Sequence, residues 1–225
     1  MKKLILYHGS KDIIKQPEYG KGKPYNDYGL GFYCTENLDL AKEWACSENI
    51  SGFANKYEFD TTGLAIMNLS SNKYMVLNWL AILLQNRNFH LSTPLSRQGR
   101  EYILKNFLPD YYNYDVIIGY RADDSYFSFA RAFLSNEISL RQLGYAIKLG
   151  KLGEQYVLKS KKAFSHIRFL DSISANNSIY YQKRKERDDE ARAAFQIELE
   201  NEDLDGIFLN DILRQEMKQN DPRLL

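Results

Sequence analysis

The sequence predicts an α+β domain followed by a helical C-terminal extension, on three observations. Short runs of β-favouring residues recur through the first 170 positions, bounded by Gly, Asn, Asp and Ser. Between them lie stretches whose apolar residues repeat at helical spacing. After Leu170 the composition turns charge-dense while an apolar stripe persists, so the chain divides into a core, 1–170, and an extension, 171–225.

Taken in order, Lys3 to Tyr7 reads as a short buried strand, and Ser10 to Asp27, rich in Gly, Pro, Lys and Asp, as a long mobile loop. Phe32-Tyr33-Cys34-Thr35 follows Gly29-Leu30-Gly31 as a second strand. Thr35 or Asn37 caps a helix from Leu38 to Ser47, with Leu40, Ala41 and Trp44 on one face. Tyr57 to Asp60 and Leu64 to Met67 read as a strand pair about the turn Thr61-Thr62-Gly63. Val76 to Gln85, apolar on nearly every face, is a buried helix, and Arg97 to Asn106 a weaker one. Asp115 to Tyr120 is a buried strand, Ser125 to Leu134 and Ser139 to Leu149 are helices, and Gln155 to Lys159 and His166 to Phe169 are strands. In the extension, Tyr181 to Asn201 and Ile207 to Lys218 are amphipathic helices.

Composition narrows the function classes. Thirty basic and 29 acidic residues leave a net charge of +1, which gives no general basic surplus for nucleic acid and leaves only a local patch open. Cys34 and Cys46 form neither a disulfide framework nor a ligand cluster, and His90 and His166 lack partners at ligand spacing, so no metal is assigned. The apolar run Leu4-Ile5-Leu6 stops at Tyr7-His8-Gly9-Ser10, too short for a signal peptide, and nothing approaches the ~18 apolar residues of a membrane span. A soluble, cytoplasmic protein without membrane association is the expectation. Gly20-Lys21-Gly22-Lys23-Pro24 lacks the context of a phosphate loop and reads as a flexible lid.

Three segments together resemble the ADP-ribosyltransferase superfamily, in its poly(ADP-ribose) polymerase-like branch. They are Leu6-Tyr7-His8-Gly9-Ser10, then Tyr28-Gly29-Leu30-Gly31-Phe32-Tyr33-Cys34-Thr35, then Glu154-Gln155-Tyr156-Val157-Leu158. The first two lie in the superfamily's order with roughly 25 residues between them. More closely, Asp27 to Tyr33, Ala122-Asp123-Asp124 and Gln155-Tyr156-Val157 resemble the bacterial family DUF3990. The resemblance spans residues 4 to 170 and implies a split antiparallel β-sheet with peripheral helices, holding NAD+ as co-substrate between two half-sheets.

Carried over by position, the resemblance implies that His8 bonds a ribose hydroxyl, the Gly9 backbone pairs with the carboxamide, and Ser10 adds a hydroxyl contact. It also implies that Tyr33 stacks on nicotinamide with Trp44 as a second ring. The catalytic set is then His8, Tyr33 and Gln155. The superfamily usually places Glu at the third position. Gln155 offers hydrogen bonds but takes no proton, which points away from chain elongation and toward transfer of a single ADP-ribose. Glu154 is one residue earlier, and on a strand only one of the pair faces the cleft.

Each assignment has a structural alternative. His8 and Tyr33 also suit ordinary strand positions, and Trp44 the buried face of its helix. Asp123-Asp124 orients an acceptor, serves as base, or caps the following helix. Arg121 reaches a pyrophosphate or lies on the surface, and Asn26 and Asp27 end the loop where it meets ligand. The implied partners are a macromolecular acceptor, protein or nucleic acid, and an antitoxin or immunity protein, as for bacterial toxins and phage-defence effectors of this type. Phe195, Leu199, Ile207, Phe208 and Leu213 would dock such a partner or pack back on the core. A weakly catalytic NAD+- or ADP-ribose-binding module is the competing reading.

Overall fold

A computed structural model describes residues 3–122, 124–149 and 153–224, leaving aside the side chains of residues 124–126. Among the described residues, two sheets and eight α-helices make a mixed α+β fold. The first sheet has the order β1 (Lys3–Ser10), β3 (Gly52–Asp60), β7 (Ile167–Ala175), all antiparallel. The second has the order β2 (Phe32–Cys34), β6 (Glu154–Leu158), β5 (Val116–Tyr120), β4 (Ile66–Asn68). Reciprocal backbone bonds between Tyr7 and Thr35, 2.7 and 2.9 Å, join the two sheets where β1 meets the end of β2.

Two expectations change. The residues flanking Thr61-Thr62-Gly63 do not pair with each other. β3 is longer than expected and already carries β1 on one edge and β7 on the other, so β4 crosses to the second sheet. There it lies parallel to β5, a departure from the all-antiparallel arrangement, and the Asp115 carboxylate accepts the Ala65 N–H at 2.9 Å beside it.

The helices follow local signals. α1 (Leu38–Ala45) is capped by Asn37, whose side-chain oxygen accepts the Leu40 N–H, while Thr35 Oγ1 accepts the Asn37 N–H. α2 (Val76–Asn86) is buried along nearly its whole length, and α3 (Pro94–Phe107) starts with Pro just inside a Thr93 cap. α4 (Asp124–Leu134), α5 (Leu140–Ala146) with its Ser139–Gln142 capping box, and the short α6 (Lys161–Ser165) complete the core helices.

The extension is continuous with this core. β7 runs through residue 170 to Ala175, and α7 (Asn177–Glu200) follows at once. Arg187 of α7 makes a bidentate pair with the buried Glu43 of α1, at 2.8 and 3.0 Å. Phe195 packs at a tilt against Phe129 with ring centroids 4.1 Å apart, and α8 (Leu209–Arg214) buries Leu209 and Ile212 completely. Packing on the core, rather than a free docking stripe, is therefore the use made of Phe195, Leu199, Ile207 and Leu213. No helix of the described residues is long and apolar enough to cross a membrane.

Candidate functional site

The two sheets diverge from the Tyr7–Thr35 junction and leave a cleft of about 760 Å³ between them. That is within the range of sites for cofactors and drug-sized ligands. His8 and Gly9 come from β1, Phe32 and Tyr33 from β2, and Gln155 from β6. Pairing of Tyr33 with Val157 puts Tyr33 and Gln155 on one face, because side chains two apart on a strand share a side. Glu154 belongs to the opposite face and is absent from the cleft lining, so Gln155 is the third-segment residue that reaches the site.

His8 is held by its backbone surroundings. Its Nδ1 lies 2.7 Å from the Tyr33 carbonyl, which only accepts, so Nδ1 carries the proton and Nε2 is an acceptor. Phe32 stacks on the ring at 4.4 Å. Burial lowers the imidazole pKa, with the bond to the Tyr33 carbonyl opposing, so the neutral form is favoured. A neutral, fixed imidazole with a free Nε2 suits acceptance from a sugar hydroxyl.

Gly9 has another physical reason than the one its sequence position implies. A Cβ there would lie 2.0 Å from the Ala41 carbonyl and 2.8 Å from the Ala45 nitrogen, so Gly is required by the approach of α1 to β1. Ser10 is outside the cleft lining. Its hydroxyl donates to the Asp12 carbonyl at 2.5 Å and accepts from Asn55 at 2.9 Å, tying down the start of the loop.

The Tyr33 ring lines the cleft while its hydroxyl donates to the Gly29 carbonyl at 2.5 Å and accepts the Tyr28 N–H at 3.2 Å. Burial raises its pKa, so it stays a neutral phenol. Gly29 takes φ +73° to make this turn, a conformation Gly adopts without cost. Trp44 also lines the cleft, with the Arg121 guanidinium 3.8 Å over its ring. One face of the indole is thus covered by Arg121, and Arg121 belongs to the cleft rather than to open surface. The Trp44 Nε1 is buried and has no hydrogen-bond partner, a donor suited to a ligand oxygen.

Asp27, placed by its sequence only at the end of the loop, is a central residue of the cleft. It is 7% exposed, and its Oδ2 accepts from the Ala122 N–H at 2.9 Å and from the Gln155 amide at 3.1 Å. Arg87 Nε stands 3.7 Å from Oδ1. Burial raises the carboxyl pKa, opposed by the Ala122 N–H, Arg87, Arg121 and Gln155 in that order. The cleft therefore has a carboxylate after all, delivered by the loop to the glutamine. Only its position at the loop's end hinted at this. Asn26 lies beside it in the lining, and its carbonyl accepts the Gly29 N–H at 2.8 Å.

Cations ring the opening: Lys21 and Lys23 from the loop, Arg87 after α2, Arg121 after β5, and Arg184 from α7. The extension thus contributes directly to the cleft. Asp123 and the side chain of Asp124 lie outside the described residues; α4 begins at Asp124.

No curated protein and no solved structure matches this chain. A protein-family profile described as a protein of unknown function, DUF3990, matches residues 4–169, which takes in both sheets up to β7 and every strand residue of the cleft. The chain belongs to the DUF3990 family.

Proposed function

We propose that this protein is an NAD+-dependent mono-ADP-ribosyltransferase acting on a macromolecular acceptor. The observation that carries the proposal is the convergence of His8, Tyr33, Gln155 and the buried Asp27 in one cation-rimmed cleft of dinucleotide-binding size. In this reading His8 Nε2 accepts from a ribose hydroxyl, the Tyr33 ring packs against nicotinamide, and Arg121 and Arg184 face the pyrophosphate. The unpartnered Trp44 Nε1 fits an oxygen of the same ligand.

The reaction breaks the bond between ribose C1′ and the nicotinamide nitrogen, which leaves with the electron pair. An acceptor nucleophile forms the new bond to C1′ and loses its proton. Asp27 is the base for that proton, since Gln155 takes none. Burial makes the Asp27 carboxylate more basic than usual, which suits the role. Its negative charge also favours the positive charge that develops on the ribose. Gln155 holds Asp27 through its amide and presents its carbonyl oxygen to a ribose hydroxyl.

The second reading, an NAD+-binding module without turnover, is favoured by the amide at Gln155. Incubation with NAD+ labelled on the adenine side separates the two. Free nicotinamide and label fixed to protein or nucleic acid, lost in His8→Ala and Asp27→Asn, support the transferase. Binding by calorimetry with no nicotinamide release supports the module. Absence of NAD+ binding sinks both.

A further inference from the structure

Behind Arg87 lies a second pocket of about 490 Å³, sharing that arginine with the cleft. Its wall combines flat side chains and cations: Tyr25, Phe89, His90 and Phe127 with Arg87 and Arg131. No carboxylate is among the described residues that line it.

The pocket has a packed floor and an open rim. Arg87 lies 4.2 Å over the Phe127 ring, Phe127 meets Phe89 at 5.1 Å, and Arg87 Nη1 donates to the Tyr25 carbonyl at 3.0 Å. Tyr25 itself is 65% exposed, and His90 and Arg131 are exposed beside it. Arg131 makes no ion pair among the described residues. An exposed ring next to exposed cations is what a base and its phosphate recognise, through stacking and charge together. The chain's near-zero net charge makes the absence of acid here a local property, not a reflection of composition.

We propose that this pocket binds a nucleobase and adjoining phosphates of a single-stranded nucleic acid, with Tyr25 stacking on the base and Arg131 and Arg87 facing phosphate. Resting on the transferase reading above, the shared Arg87 wall makes that strand the acceptor, brought to the cleft's edge. A duplex keeps its bases stacked on each other and offers the pocket only its backbone.

The test is fluorescence anisotropy with short labelled single strands of DNA and of RNA, and with the duplex, all without NAD+. Binding of at least one single strand is expected, about tenfold tighter than the duplex and weakening steeply with salt. Tyr25→Ala and Arg131→Glu, both at exposed positions, are each expected to weaken it at least about fivefold with an unchanged melting temperature. The preferred strand identifies DNA or RNA as the source. Failure of both strands to bind, indifference of binding to the two substitutions, or displacement of the strand by an acidic tyrosine-containing peptide at lower concentration overturns the inference. The two proposals fail separately. Strand binding without any ADP-ribose transfer supports the pocket and removes the acceptor role, whereas label on protein alone with no strand bound overturns the pocket and leaves the transferase.

Discussion

The cleft has two walls of different make. One is built on strands: His8, Phe32, Tyr33 and Gln155 sit on paired backbone, and the polar side chains among them are held by backbone groups or by Asp27. The other is the loop from Gln16 to Lys23, mostly exposed, with Gly20 and Gly22 at positive φ and a surface pair between Lys21 and Glu18. Its hydrogen bonds to the rest of the protein lie toward its ends, while in the middle Tyr19 packs edge-on against Phe164 with ring centroids 5.7 Å apart. Near the start, Asn55 accepts the Ile14 N–H and Tyr57 donates to the Ile14 carbonyl. Near the end, Arg87 and Lys159 donate to the carbonyls of Tyr25 and Tyr28. A fixed wall places chemistry, and a wall with an exposed middle admits and covers a ligand. Asp27 stands where the two meet, which is why it combines a loop's reach with a strand's precision.

The sharpest way to break that comparison is at the junction. Asp27→Asn is expected to lower transfer by about 100- to 10,000-fold, as for loss of a general base, and to remove the acid limb of the pH–rate profile. Stability is expected to move the other way. The folded pKa of Asp27 lies above its unfolded value, so its stabilising contribution is present at low pH and is lost as pH rises through the folded value. The variant is therefore expected to melt at a higher temperature than the parent at neutral pH, by scanning calorimetry. A variant equal to the parent in activity would remove Asp27 from the mechanism.

The next largest effect tests the strand wall. Gly9→Ala drives a methyl into the α1 backbone, which has no flexible atom to yield, and is expected to cost about 3 kcal/mol in urea unfolding. Were Gly9 kept free only for a ligand, the same change would leave stability intact and raise KM. The outcome therefore decides between packing and binding as the reason for this glycine.

The loop wall is expected to respond differently. Replacing Lys21 and Lys23 together by Ala should raise KM for NAD+ about threefold and leave kcat within about twofold, because exposed cations steer an anion without fixing it. In high salt the difference should vanish, since screening already removes the long-range part. A fall in kcat of the size expected at Asp27 would mean that the loop closes into the reacting geometry, and the contrast between walls would fail.

The same contrast explains what was legible from residues alone. His8, Tyr33 and Gln155 are readable through the resemblance of three strand segments in order; the strand period says only that one of Gln155 and Glu154 faces the cleft, and the pairing of Tyr33 with Val157 decides for Gln155. Asp27 follows no period, and its partner Gln155 is distant in sequence, so only the fold joins them. Ser10 misled because hydroxyls in loops serve the backbone as readily as a ligand. β4 misled because a turn signal implies a hairpin only while the neighbouring strand has a free edge, and β3 has none. The extension was separated by composition, yet Arg184 and Arg187 carry its charge into the cleft and onto Glu43, where a helix face reads as merely solvated.

The smallest expected effect concerns the strand wall's pH behaviour. His8 has a folded pKa below its unfolded value of about 6.5, so its contribution is present above that pH and is lost as pH falls through the folded value. Its sign is opposite to that of Asp27, while a neutral imidazole beside a carboxylate requires a pH above the folded pKa of both groups. His8→Gln keeps a donor for the Tyr33 carbonyl and does not titrate. The difference in unfolding free energy between parent and variant should therefore tilt against the parent below pH 6.5, no more steeply than about 1.4 kcal/mol per pH unit, the limit for one proton. A flat difference would mean that the imidazole charges in the folded state as readily as in water. The Nδ1–H tautomer that frees Nε2 for a ribose hydroxyl would then be lost in mild acid, and activity would fall with it. A sloping difference with activity retained to lower pH fits a strand wall whose burial fixes both the ring and its proton.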